Sequence, residues 1–337
     1  MRTVAPSEKP SLWLELTPHC NLDCAFCYNP WRSAPKSQYP GTVPFEVYLA
    51  GVQRLLDRVD FSYVALSGGE PTLYRDLIKL VRALGAQGKR TVLTTNGRLL
   101  DRPKLDALRA SGLSAVQIPI LAGTPSIHNQ LSRVRCWREA VFALALSVEL
   151  GLHAVGVFVA TASNISELST VVDVLEAIGV QNLIVNELQP VGSASQFLDQ
   201  LAVSPVVFSR TIDEVARLNP TSSLNIKIVR HASSFGTITN SRVWTRWSIT
   251  SSGELKLCNL SSKTLGKIEQ LTDEEIERLA EDYRHGNLKP MSAYVDNCAC
   301  FDLIYSGRDA SAASMANSQN SSAADSPVET LGPEITP

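Results

Sequence analysis

The sequence predicts an α/β protein, a parallel sheet with helices on its outside, followed by a small α+β domain. Three observations predict it. Short apolar stretches alternate six times with helical periods between residues 11 and 218. Those stretches carry Val, Leu and Ile on both faces, as the strands of a buried parallel sheet do. Beyond residue 218 the alternation stops, and shorter strand and turn patterns replace it. Six β/α units in series give right-handed crossovers and fall short of the eight that close a barrel.

The predicted strands are residues 12–16, 63–66, 91–94, 115–118, 154–159 and 183–185. Helical spacing between them places Phe45, Leu49, Val52, Leu56 and Val59 on one face. Leu77, Leu80, Val81 and Leu84 form a second apolar face, and Ala140, Val141, Leu144 and Val148 a third. Asn164 is a candidate cap for a helix carrying Leu168, Val171, Val172 and Leu175. Ser204-Pro205 opens the last helix of the series, with proline at its first position. Farther on, residues 223–229 are strand-like, and residues 247–257 read as a hairpin turning at 251–253. A helix is expected from Thr272 to about Tyr283.

Composition narrows the function. The chain has 337 residues, 44% hydrophobic and 19% charged, with a formal net charge of −2. That balance argues against a nucleic-acid or anionic-membrane surface built from bulk charge. No apolar run approaches the ~18 residues of a membrane-spanning helix, and residues 1–10 lack the apolar centre of a signal peptide. A cytoplasmic location is expected. The seven cysteines suit it, because an odd number with six in two local clusters reads as metal ligation in a reducing compartment.

The first cluster directly follows the first strand, as Cys20-Asn-Leu-Asp-Cys24-Ala-Phe-Cys27. Three thiolates do not complete a tetrahedral zinc site, but they can hold three irons of a [4Fe–4S] cluster and leave the fourth open. A zinc knuckle borrowing His19 or His231 is the alternative. Leu66-Ser-Gly68-Gly69-Glu70-Pro71 follows the second strand, and Thr94-Thr-Asn96-Gly97 the third. Taken together, the Cys-x3-Cys-x2-Cys loop, Gly-Gly-Glu and Thr-Asn-Gly resemble the radical S-adenosylmethionine (SAM) superfamily.

The resemblance implies a partial (β/α)6 TIM-like barrel over residues 11–218. It also implies a cluster on Cys20, Cys24 and Cys27 whose open iron chelates SAM. Phe26 would then lie near the adenine, and Glu70 would face the methionine ammonium. Asn96 would lie near the ribose, and the strand around Gly156 would pass along the adenine. The family's Ser-x-Asp-Gly after the fourth strand is replaced here by Pro119-Ile-Leu121. That change removes two polar contacts. His128 and Arg133 match a His…Arg pattern that is structural in the family. Asn186, Glu187 and Gln189 are candidates to face substrate.

The second cluster is Cys258, Cys298 and Cys300. Gly253-x4-Cys258, Leu265-Gly-x-Ile268 and the close pair at 298 and 300 resemble a truncated SPASM or twitch domain, placed at residues 219–306. It would hold an auxiliary iron–sulfur cluster, one ligand short. A small zinc site completed by His231 or His285 is the alternative. Residues 307–337 lack periodicity and are expected to be a disordered tail. Cys136 begins a helix, away from both clusters.

The resemblance therefore implies a radical SAM enzyme, fed by a flavodoxin- or ferredoxin-type electron donor. It would cleave SAM to a 5′-deoxyadenosyl radical and take a hydrogen atom from a peptide or small natural-product precursor. With so short an N-terminus, a leader-peptide-binding domain is not expected. A sensor or electron carrier without catalysis is the competing expectation, but it has no use for Gly68-Gly69-Glu70 or Asn96-Gly97.

Overall fold

A computed structural model describes residues 9–218, 222–229, 246–261 and 264–285. The strands are β1 (Ser11–Glu15), β2 (Val64–Ser67), β3 (Thr91–Thr94), β4 (Leu113–Pro119), β5 (His153–Ala160), β6 (Asn182–Glu187), β7 (Asn225–Val229), β8 (Arg246–Ile249) and β9 (Leu255–Lys256). They form one sheet in the order β7-β6-β5-β4-β3-β2-β1-β8-β9. Every pairing is parallel except β8 with β9.

All six predicted strands are present. The sheet also runs past them on both sides. β7 extends it beyond β6, and β8 lies against the far edge of β1 with Trp13 opposite Ser248. Both strands come from beyond residue 218, so the sheet is continuous across the domain boundary expected there. The predicted hairpin is the β8–β9 pair, closed by Gly253 N–H donating to Thr250 O.

The helices are α1 (Phe45–Leu56), α2 (Leu77–Ala86), α3 (Arg102–Ala110), α4 (Pro125–Ser132), α5 (Trp137–Glu149), α6 (Leu168–Ala177), α7 (Leu198–Leu201), α8 (Pro205–Leu218) and α9 (Asp273–Arg284). The apolar faces of all but α4 and α7 share one core with Leu12 and Leu14, Leu66, Leu93, Ile118, Phe158, Val185 and Trp247, while α4 and α7 pack on a smaller second cluster. Those strand residues alternate along each strand, so they mark one face of the sheet as the helix side. Trp247 anchors the late strands there, edge-on to Phe61 and Tyr283 at 5.8 Å each. Thr272 closes a capping box with Glu275 at the start of α9.

The opposite face carries the other alternate residues, including Trp13, Glu15, Ser67, Thr94, Gln117, Asn186, Ser248 and Lys256. Gly156 belongs to the helix side. A Cβ there would stand 2.7 Å from Leu175 Cδ1 of α6. The glycine expected to admit a cofactor is therefore explained by close packing of a helix on its strand.

His231, Cys298, Cys300 and the tail 307–337 lie outside the described residues. No described helix is long and apolar enough to cross a membrane.

Candidate active site

The C-terminal ends of β1, β2 and β3 lie side by side, and their loops interlock. The loop after β2 is joined to the cysteine loop through its backbone. Gly69 N–H donates to Thr17 O at 2.6 Å, and Glu70 N–H to His19 O at 2.8 Å. A Cβ on Gly69 would stand 2.2 Å from His19 O, and one on Gly68, at φ +119°, 2.7 Å from Thr17 O. Both glycines are needed for the meeting of two backbones.

Glu70 is 1% exposed and joins three loops. Its Oε1 accepts from Thr72 N–H at 3.0 Å, from Thr72 Oγ1 at 2.5 Å and from Thr95 Oγ1 at 2.5 Å. Oε2 accepts from Asn96 N–H at 2.9 Å. The carboxylate expected to face the methionine ammonium thus already meets four protein donors, three of them on Oε1 and one on Oε2. Asn96 Nδ2 in turn donates to Asn21 Oδ1 at 2.7 Å, inside the cysteine loop.

The cysteine loop has a second support on its other side. Asp23 N–H and Ala25 N–H donate to Ser132 O and Leu131 O at the end of α4. His128 stands behind that contact, with Nδ1 accepting from Leu121 N–H at 3.2 Å and Nε2 3.5 Å from Cys136 Sγ. Cys136 Sγ also lies 3.4 Å from Ser132 Oγ, and Ser132 is the residue whose carbonyl accepts from Asp23 N–H in the cysteine loop. Cys136 thus lies near the first cluster, contrary to the expectation from sequence. Arg133, in the left-handed region at φ 57°, covers the Phe197 ring at 4.6 Å.

Phe26 packs on a small apolar cluster of Ala25, Leu121, Leu131, Leu188, Ala194 and Leu201. Leu121, which replaces the usual acid, is buried in it. Asn164 makes no helix-capping bond; its Nδ2 donates to Leu121 O and Val159 O, joining the loops after β4 and β5. Asn186 lies on the inner face beside Val159, and Gln189 Nε2 reaches Glu187 O at 3.4 Å.

The three thiols fit a cluster by chemistry and support. Burial pushes Cys20 up to about 11, and it raises Cys24 and Cys27 as well. Free thiols here stay protonated, and a metal would displace those protons on binding. Among the described residues, no three His, Cys, Asp or Glu side chains converge on a single metal ion. Cys258 is buried on the inner face, paired across to Arg246.

Several residues of the site went unnoticed in the sequence. Glu15 and Lys256 form a buried ion pair, Ser248 Oγ donates to the same carboxylate oxygen at 2.8 Å, and Tyr28 Oη lies 3.4 Å from Ser67 Oγ. A lone acid in an otherwise apolar strand was the available signal for Glu15.

The model of the radical SAM superfamily matches residues 14–175. Residues 14–175 are a radical SAM domain. This span carries the cysteine loop, both glycine motifs and the Glu70 junction. Curated relatives named probable GTP 3′,8-cyclase include one from Saccharolobus islandicus (strain Y.N.15.51 / Yellowstone #2), 29% identical over 54% of this chain and 58% of its own length. Another, from Metallosphaera sedula, is 31% identical over 54% and 56%. The chain thus spans a little over half the length of these relatives.

Among solved structures, Streptococcus suis SuiB bound to precursor peptide SuiA matches with TM-score 0.66 and 16% identity, over 82% of this chain and 65% of SuiB. Native anSMEcpe with bound AdoMet matches with TM-score 0.59 and 18% identity, over 79% and 80%. At these identities the likeness establishes the fold, an α/β partial barrel around the radical SAM domain.

Proposed function

We propose that this chain is a radical SAM enzyme that takes a hydrogen atom from a peptide or small natural-product precursor, in a reducing cytoplasm. The observation that carries this reading is the Glu70 junction, which fixes the cysteine loop, the Gly-Gly-Glu loop and the Thr-Asn-Gly loop as one unit. When bound, the [4Fe–4S] cluster and SAM would supply an electron and a 5′-deoxyadenosyl radical, with a flavodoxin or ferredoxin as donor. Cys20, Cys24 and Cys27 would hold the cluster. The backbone around Gly68–Glu70, with Phe26 and Asn96, would orient SAM above it. The apolar cluster under Phe26 would exclude water and stray hydrogen donors from the radical. Cys258, with Cys298 and Cys300, would hold the auxiliary cluster.

Anaerobically reconstituted protein given dithionite should convert SAM to methionine and 5′-deoxyadenosine. A Cys20/Cys24/Cys27→Ala variant should not, and turnover surviving in it would end this reading. A second substrate class, a purine nucleoside triphosphate, is favoured by the names of the curated relatives. Direct binding of GTP to the reconstituted protein separates the two.

A further inference from the structure

The strap after the cysteine loop turns a cation back onto it. Residues Pro30–Ser33 form a 3-10 turn, held by Arg32 N–H donating to Asn29 O and by Trp31 Nε1 donating to Pro18 O at 3.3 Å. From this turn the Arg32 side chain folds under the loop. Its Nη2 donates to Leu22 O at 3.1 Å and to Asp23 Oδ1 at 2.8 Å, between Cys20 and Cys24. The guanidinium side chain is 5% exposed, whereas Asp23 is 67% exposed and is shared with Arg133 at 3.5 Å. Solvent and a second arginine share the acid, so it compensates the buried cation only in part. The guanidinium thus lies directly under the segment that joins Cys20 to Cys24.

A buried charge is costly unless negative charge meets it, and one exposed carboxylate is weak compensation. Three thiolates carrying a cluster would supply the rest. Reducing the cluster adds one more negative charge, and a fixed cation beside it stabilises that reduced form. We propose that Arg32 is a positioning residue that holds up the reduction potential of the cluster on Cys20, Cys24 and Cys27. The inference rests on the radical SAM reading and goes beyond it, because no motif of the sequence marks Arg32.

The test is a redox titration of the reconstituted protein without SAM, with dithionite as the one-electron reductant and EPR as the readout. Arg32→Gln should weaken the reduced state about tenfold relative to the oxidised one, a downward shift of about 59 mV. Arg32→Lys keeps the charge and should lose no more than about a third of that shift. A role confined to loop folding would lower iron content and leave the loaded fraction at the wild-type potential. That result overturns the proposal, as would equal shifts in the Gln and Lys variants. If Arg32→Gln takes up no iron, Asp23→Asn decides. It leaves Arg32 uncompensated and should move the potential upward, and no upward movement overturns the proposal. Absence of any cluster in the wild-type protein would instead refute the radical SAM reading itself.

Discussion

Glu15 on β1 and Lys256 on β9 meet at 2.6 Å across the intervening strand β8, with both side chains less than a tenth exposed. Ser248 of β8 sits between them and donates to the same carboxylate oxygen, and Lys256 also reaches Asn259 O at 3.4 Å. The pair ties the hairpin that precedes Cys258 to the strand that leads into the cysteine loop. Removing one partner leaves a buried charge alone, which costs about 3–5 kcal/mol. Lys256→Met and Glu15→Gln should each approach that loss in urea unfolding. The double variant should be less destabilised than the sum of the two, and strict additivity would show that the pair is not coupled.

Glu70→Gln should destabilise the protein before any ligand is added. The amide loses an acceptor and presents N–H toward N–H and O–H donors from two loops. A bond to a charged group contributes about 1.5–3 kcal/mol, so a loss near 2 kcal/mol is expected. SAM affinity should fall roughly ten- to hundredfold through the displaced loops, by the same magnitude. Thr95→Val leaves the carboxylate in place and should reproduce part of both effects. An unchanged melting temperature in Glu70→Gln, together with weakened SAM binding, would restore direct contact with the methionine ammonium.

Gly69→Ala should expel the cysteine loop from its seat, because the new Cβ would meet His19 backbone at 2.2 Å. Overpacking costs about 1–3 kcal/mol, and a backbone clash belongs at the upper end. Iron bound per chain after reconstitution should fall with it. Gly41→Ala has nothing within 4 Å and serves as the neutral control. Equal iron loading in both variants would contradict the close approach.

His128 makes stability pH-dependent. Burial pushes its pKa down to about 4 from the ordinary 6.5, so the folded state favours the neutral ring. Its contribution is fully present above pH 6.5 and is lost as pH falls toward 4, because the unfolded chain takes the proton first. Between pH 7 and 4.5 this one group should remove about 2–3 kcal/mol. His128→Gln should flatten that part of the urea-midpoint profile, and an unaltered slope would assign it to other groups.

Iron and sulfide should approach about eight of each per reconstituted chain, on a count of four per cluster. In a Cys258/Cys298/Cys300→Ala variant they should fall to about four. A wild-type value already near four would remove the auxiliary cluster from the proposed function.

By itself the sequence determined the strand–helix series, the three motif loops at the ends of β1, β2 and β3, and the turn and helix of the late segment. These are local quantities. Apolar periodicity, a proline at a helix start and closely spaced cysteines act over a few residues, and neighbouring side chains alone dictate them. Which residues meet was decided by tertiary structure. Lys256 reaches Glu15 from 241 positions away only because β8 inserts beside β1, and nothing in either strand specifies that neighbour. In the same way the sheet's pleat turned Gly156 toward α6, and packing of α4 brought Cys136 toward Cys24. Folding of the 3-10 strap buried Arg32 under the cysteine loop. Motif spacing marked Glu70 as important, but its charge was committed to protein donors once three loops closed around it. The physical reason is common to all of these. Register and strand order are properties of the whole sheet, and a side chain's partner follows from them rather than from its own place in the chain.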